Sequence, residues 1–288
     1  MSDEENTMNG NINTGPVPKT FEYHMKHTKR GSALIFNHEV FANPNEYGKR
    51  SGTNLDCERM SQTLTDLHFN VTVYNDLPLA EIMHRMRQAS QQDFTDHDCI
   101  LMVILSHGKE DLKIAAHDSE YSLASVFHYF KDSQCPSLKG KPKLFFIQAC
   151  QGSAVDPGIE LKSNHQHASN SRQEPEFCLK NSFIGCYNVI IPPDFLIAYS
   201  TIPGFVSWRN SNGSWFIQTL CDLLNESGKT QDILTLLTSV KRRVATDYCS
   251  NTEDKAMDKK LQIPSTITTL TRLLKFTGKD DIASTKRK

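Results

Sequence analysis

The chain has 288 residues, a formal net charge of −1 and eight cysteines, so it is long enough for one large domain or two small ones and too nearly neutral for a general nucleic-acid or membrane-surface binder. No apolar run approaches the roughly 20 residues of a membrane span. The acidic, polar start Met-Ser-Asp-Glu-Glu-Asn lacks the pattern of a secretory signal, and scattered cysteines without any Cys-x-x-Cys pair suggest reduced thiols in a cytoplasmic chain.

Residues 1–20 are rich in Asn, Gly, Pro and Thr and read as a disordered leader. A first strand is expected over Ala33–Asn37. Ser51-Gly52-Thr53-Asn54 then opens a helix with Leu55, Met60, Leu64 and Leu67 on an apolar face. Val71–Tyr74 reads as a short strand, and Leu79–Ala89 as a helix carrying Leu79, Ile82, Met83 and Met86 at helical spacing. The apolar run Ile100–Leu105 leads to Ser106-His107-Gly108. A hairpin-like segment and a helix over Ser122–Phe130 follow. The run Leu144–Ile147 then leads to Gln148-Ala149-Cys150-Gln151-Gly152.

From Gly152 to Pro193 the chain is polar and irregular, and loops this long are usually functional or disordered. His165, His167 and Cys178 lie in it without zinc-finger spacing, so no metal is expected. The fold resumes with a strand over Asp194–Tyr199, then helices over Ser214–Glu226 and Thr230–Ala245. In the second helix Ile233, Leu236, Leu237, Val240 and Val244 mark a buried face. A polar loop from Cys249 to Lys260 leads to a last strand over Ser265–Leu270. Residues 277–288 read as a disordered tail.

The two apolar runs that end at His107 and Cys150 read as buried parallel strands of an α/β sheet. Open α/β sheets bind ligands at the carboxyl ends of their strands, so a thiol and an imidazole are expected to face each other there. A free thiol is mostly protonated at neutral pH. His107 is the candidate to take its proton and later return it to a leaving amine. A buried Cys or a lone Ser-His-Gly is by itself more often structural, and the other seven cysteines read as small buried hydrophobes or idle thiols. Taken singly, Arg50 and Arg209 would be solvated surface arginines.

A Gln-Ala-Cys-x-Gly pentapeptide with a His about fifty residues upstream is a caspase signature. The chain resembles effector caspases in much more than this. Arg30 to His38 (Arg-Gly-Ser-Ala-Leu-Ile-Phe-Asn-His), Arg50 to Asn54, Pro142 to Cys150 and Ser207 to Asn210 (Ser-Trp-Arg-Asn) all look like the family, in its order. The resemblance runs from about Phe21 to Phe276. It implies a caspase-like mixed six-stranded sheet flanked by helices, one domain per protomer. Residues 21–276 would form the catalytic domain, with a large-subunit core over 21–150, an intersubunit linker region over 151–193 and a small-subunit core over 194–276.

The same resemblance implies a cysteine endopeptidase of apoptosis that cleaves protein substrates after Asp. His107 and Cys150 would be catalytic, with the amides of Cys150 and Gly108 as oxyanion donors. Arg50, Gln148 and Arg209 would line the primary pocket, where two guanidiniums grip one carboxylate. Ser207 and Trp208 would pair with the substrate backbone like an added strand, and Asn210 and Trp215 would line more distal subsites. No cofactor is implied. The expected assembly is a homodimer, a heterotetramer once cut, activated by an upstream initiator caspase. Inhibitor-of-apoptosis proteins are partners by analogy with the family.

Several positions depart from the family pattern. Val206 stands where an aromatic is usual, so the second subsite should be wider. Ser265 stands where a Cys is common. The linker holds a single Asp, Asp156, beside Glu160, Glu174 and Glu176. The expectation is therefore cleavage after Asp156, cleavage after a Glu, or an intact chain that works uncut, with a cut near Glu174 or Glu176 by an upstream protease favoured. Two other readings remain. One is a relative with basic specificity, which the two arginines oppose. The other is a catalytically silent homologue acting as a regulatory binding partner, which retention of His107 and Cys150 opposes.

Overall fold

The computed structural model describes residues 20–158 and 191–279. Glu160, Glu174 and Glu176, the imagined zinc ligands His165, His167 and Cys178, and nearly all of the expected leader lie outside the described residues. A six-stranded sheet forms the centre. In chain order its strands are β1 (Lys29–Asn37), β2 (Asn70–Asn75), β3 (His97–Leu105), β6 (Lys143–Gln148), β7 (Phe195–Tyr199) and β10 (Ser265–Thr268). Their spatial order is β10-β7-β6-β3-β1-β2. All neighbours pair in parallel except β10, which runs antiparallel to β7.

The central strands are near-continuous apolar runs because both of their faces are covered. Alternate residues go to opposite cores, as a period of two requires. Leu101, Val103, Leu144 and Phe146 meet α1 (Thr53–Asp66), α4 (Trp215–Ser227) and α5 (Ile233–Asp247) on one side. Ile100, Met102, Phe145 and Ile147 meet α2 (Leu79–Ser90) and α3 (Leu123–Tyr129) on the other. Two small hairpins, β4 (Lys113–Ala115) with β5 (Glu120–Ser122) and β8 (Arg209–Asn210) with β9 (Gly213–Ser214), complete the described elements.

Capping explains where the later helices begin. Ser122 accepts from the Ala124 N–H, Ser214 from Ile217 and Asp232 from Leu234, each satisfying an amide that the helix leaves open. The last of these places the start of α5 three residues beyond the expected Thr230. The α1 face also differs from the sequence reading. Its buried residues are Thr53, Asp56, Cys57, Met60, Thr63 and Leu64, whereas Leu55 is 47% exposed. A buried carboxylate thus takes the place in the stripe that an apolar residue was expected to fill.

The expected tail begins inside a docked segment. Arg30 donates to the Thr277 carbonyl, and Lys279 Nζ lies 2.5 Å from Asp98 Oδ2, which also receives Arg30 at 2.9 Å. Residues after Cys150 are held as well. Asp156 forms a bridge with Leu261, and its carboxylate accepts from the Gly158 N–H at 2.8 Å.

Phe145 is fully buried, lies 5.7 Å from Phe195 in a stack, and meets Phe127 edge-on. Phe145→Ala is expected to cost about 3–5 kcal/mol in denaturant unfolding, whereas Leu55→Ala should cost less than ~0.5 kcal/mol. Comparable losses from the two would contradict the orientation of α1.

Candidate active site

Strands β3 and β6 are neighbours in register, with Leu105 opposite Gln148. Each chain leaves the sheet there and travels two residues further, one to His107 and the other to Cys150. Both side chains line one groove of about 640 Å³, with Gly108, Gly152 and Val206 in its wall. Cys150 is half-buried, and Cys249 is exposed. Cys57, Cys99, Cys135 and Cys221 are buried. Burial pushes the thiols of Cys57, Cys99 and Cys221 up to about 12, which removes them as nucleophiles.

The His107 ring is fixed on several sides. Its Nε2 donates to the Gly48 carbonyl at 2.7 Å. A carbonyl only accepts, so the proton sits on Nε2 and Nδ1 keeps the lone pair. Tyr47 stacks on the ring at 5.5 Å, and Phe41 contacts it at 5.1 Å. Tyr47 is held in turn by a bond to Glu120 and by Lys109 Nζ, which lies 4.9 Å from the Tyr47 ring centre. Lys109 bridges Glu46 and Glu120. Burial pushes the His107 imidazole below its ordinary range. The Gly48 carbonyl opposes that shift, and Arg50 and Arg209 reinforce it.

Among the described residues neither the Gly108 nor the Cys150 N–H finds a hydrogen-bond acceptor. Both amides are therefore free to meet an oxyanion. A Cβ at position 108 would overlap the Cys150 carbonyl oxygen and sit 2.9 Å from the Ala149 Cβ. The close approach of the two strand-end loops thus requires glycine there.

Beside Cys150 lies a second polar feature. Arg50 is 2% exposed, although an isolated arginine would be expected at the surface. Its Nη1 donates to the His38 carbonyl at 2.8 Å and to Thr53 Oγ1 at 2.7 Å. Its Nε and Nη2 keep their donors among the described residues. Arg209 reaches across from β8 and donates to the Ser51 carbonyl. Burial, and then the like charge of Arg209, push the Arg50 guanidinium down to about 9, so it stays cationic at neutral pH. Gln148 donates to Ser207 Oγ at 2.8 Å, and its buried Oε1 has no partner among the described residues. The Ser207 N–H points at Cys150 Sγ, 3.4 Å away. The structure thus brings Arg50, Gln148, Ser207 and Arg209 together around the thiol, two cations without a full complement of anions.

Further out, Trp208 and Trp215 stack at 5.8 Å, and Trp215 stacks on Tyr248 at 5.3 Å. Asn210 is exposed, and its side chain accepts from the Asn212 N–H within the β8–β9 turn. The sequence reading missed Gly48, Tyr47, Phe41 and Asp56. The first three lie in a polar loop with no periodicity to mark them. Asp56 did carry a signal, because it falls at helical spacing between Thr53 and Met60 on the buried stripe.

Residues 30–275 match the family model described as the caspase domain. The chain is 46% identical over 260 residues to Caspase drICE of Drosophila melanogaster, covering 90% of this chain and 73% of the relative. It is 38% identical to Caspase-7 of Gallus gallus, covering 90% and 81%. The crystal structure of Caspase-1 from Spodoptera frugiperda superposes with a TM-score of 0.78 at 42% identity, covering 91% of this chain and 95% of that one.

On brief alkylation with iodoacetamide at neutral pH, peptide mapping should find label on Cys150 and Cys249. Cys57, Cys99, Cys135 and Cys221 should react only after denaturation. Early label on Cys57 or Cys221 would refute the burial that leaves Cys150 as the reactive thiol expected in the groove.

Proposed function

This chain belongs to the caspase family, and on that premise we propose that its cysteine endopeptidase activity, cleaving after Asp in apoptosis, is carried by Cys150 and His107. Cys150 Sγ attacks the scissile carbonyl while His107 Nδ1 takes the thiol proton. The amides of Gly108 and Cys150 receive the oxyanion. His107 then protonates the leaving amine, and water, activated by the same nitrogen, releases the acid. The catalytically silent reading is not favoured.

The observation that carries the specificity is the pair of guanidiniums, Arg50 and Arg209, half-buried or deeper beside the thiol. One carboxylate can satisfy both through charge-assisted bonds. A neutral side chain there would leave buried cations unpaired. Ser207 and Trp208 take the substrate backbone, while Trp208 and Trp215 form a distal wall with Asn210 at its rim. Val206, in the groove wall beside Cys150, makes the second subsite wide.

The protein is read as a cytoplasmic zymogen and homodimer, with the edge strand β10 at the seam. Initiator caspases and inhibitor-of-apoptosis proteins are its expected partners. Large and small subunits would meet within the linker of residues 151–193. Asp156 precedes Pro157 and is bound to Leu261, so the cut is placed near Glu174 or Glu176, by an upstream protease. Intact masses of the wild type and of Cys150→Ala, each treated with an initiator caspase, test this. A fragment ending at Asp156 would refute it.

With linker-cut protein, Arg209→Gln should lower kcat/KM for an Asp substrate by roughly 100-fold or more. Undiminished cleavage after Asp would sink the pocket assignment. The pH profile gives a separate test. A depressed pKa keeps His107 neutral further into acid, so activity is present above that pKa and is lost as pH falls through it. The acid limb of kcat/KM is expected below about pH 6.5. Arg209→Gln removes a neighbouring cation and should move that limb upward. A wild-type limb above the ordinary imidazole value would contradict the geometry.

A further inference from the structure

Asp56 makes no contact with the groove, yet its surroundings are unusual. The residue is fully buried in the first turn of α1. Its Oδ1 and Oδ2 accept from the Ser214 N–H at 2.9 and 3.0 Å, and Oδ1 also accepts from Gln218 Nε2 at 2.7 Å. Every one of these partners donates, which is what an ionised carboxylate requires. Ser214 caps α4, and Asp56 sits near the start of α1, so two helix N-termini favour negative charge there. Burial works the other way and raises the Asp56 pKa. The Gln218 and Ser214 donors oppose that rise, as does Arg50.

The position of Ser214 gives the contact its meaning. Ser214 is the cross-strand partner of Arg209 in the β8–β9 hairpin. A bond that holds Ser214 to α1 therefore holds the residue opposite Arg209. The fit is close: a Cβ on Gly213 would come within 2.5 Å of Asp56 Oδ1 and of Gln218 Nε2. A Cβ on Gly52, at the entry to α1, would overlap the Asn210 carbonyl. Arg209 itself bonds back to Ser51. The turn that carries Arg50 and the hairpin that carries Arg209 are thus sewn together, with one buried carboxylate behind them.

We infer that Asp56 is a positioning residue of the primary pocket, which fixes the Arg209 hairpin and acts as the resident counter-ion of Arg50 and Arg209. This rests on the reading of those arginines as the site for the substrate Asp. Two cations and one anion leave the empty pocket with a single net positive charge. One substrate carboxylate then neutralises it. The pocket is in this way matched to a monoanion. Without Asp56 the empty pocket carries two net positive charges, its arginines repel without compensation, and a dianion becomes the better match.

The test uses linker-cut full-length protein at pH 7.5 and peptide substrates that differ only before the scissile bond, with Asp, with Asn, or with phosphoserine, which is close to dianionic at that pH. Asp56→Asn keeps the shape and removes the charge. It should raise KM for the Asp substrate with a smaller change in kcat, and raise the phosphoserine-to-Asp ratio of kcat/KM by roughly tenfold. An equal fall for both substrates would show a purely structural role and overturn the inference, as would an unchanged ratio. If Asp56→Asn does not fold, Asp56→Glu decides. It keeps the charge, so its ratio should stay at the wild-type value even if its rate drops, and a ratio shifted toward phosphoserine would overturn the inference. Wild-type protein that does not prefer Asp to Asn would refute the pocket reading itself, an outcome distinct from failure of the Asp56 role.

Discussion

The register between β3 and β6 is the constraint on which the site depends. Leu105 faces Gln148, and the chains run on two residues to His107 and Cys150. A parallel pair cannot slip by one residue without exchanging its faces. Such a slip would turn Phe145 and Ile147 toward the α4–α5 side and Leu144 and Phe146 toward α2 and α3. Both cores resist it, so the packing of about a dozen apolar side chains holds the thiol and the imidazole level with each other. The same register brings Gly108 against the Cys150 carbonyl and, among the described residues, leaves the amides of both residues without an acceptor. The mutual placement of His107 and Cys150 follows from the fold's largest energetic term, not from bonds within the site.

The proposed substrate pocket has a different origin. Arg50 leaves the turn before α1, and Arg209 leaves a two-residue strand of the β8–β9 hairpin. Neither is placed by the sheet. They are held by carbonyls of His38 and Ser51 and by the carboxylate of Asp56 acting through Ser214. Bringing two guanidiniums together out of water is unfavourable. The depressed pKa of Arg50 expresses that cost, with burial the largest cause and Arg209 the next. A bound carboxylate would relieve it, and so on the proposed reading the affinity for Asp and the cost of the two unpaired cations are the same interaction seen from two sides.

This division explains what the sequence could and could not convey. The strands over Ile100–Leu105 and Leu144–Ile147 were legible because doubly covered parallel strands are unbroken apolar runs, and the residues that follow them, His107 and Cys150, line one groove. The helical face of α5 was legible from Ile233, Leu236, Leu237, Val240 and Val244. The α1 face was misread at Leu55, because a buried Asp at position 56 broke the apolar pattern that the reading relied on. The tie of Gly48 to His107 spans a polar loop with no period, and the tie of Asp56 to Ser214 joins segments 158 residues apart. Local pattern carries no trace of either. Arg50 and Arg209 were placed by resemblance, since nothing in an arginine's own neighbourhood distinguishes a buried one from a solvated one.

The loop that follows Cys150 joins these two systems. Gln151 N–H donates to the Phe205 carbonyl at 3.0 Å, and Gly204 N–H returns to Gln151 at 2.8 Å. Ala154 then receives Val206 at 2.9 Å, while donating to Gly204 at 3.0 Å. Further on, Leu261 N–H donates to Asp156 at 2.9 Å. Residues 151–156 are therefore a strap across the segment that carries Val206, Ser207 and Arg209. Trp208 is tied to the same place from the other side, through Gln262 Oε1 at 2.6 Å and the Leu261 carbonyl at 3.3 Å. A cut after Asp156 would free the end of this strap beside Leu261, whereas a cut further along would leave its whole length anchored. Pro157 also denies a protease the N–H of the residue after the bond. An Asp close behind Cys150 is thus an anchor for the segment that carries Val206, Ser207 and Arg209, and on the proposed reading it is a poorer place to be cut than a residue further along the linker.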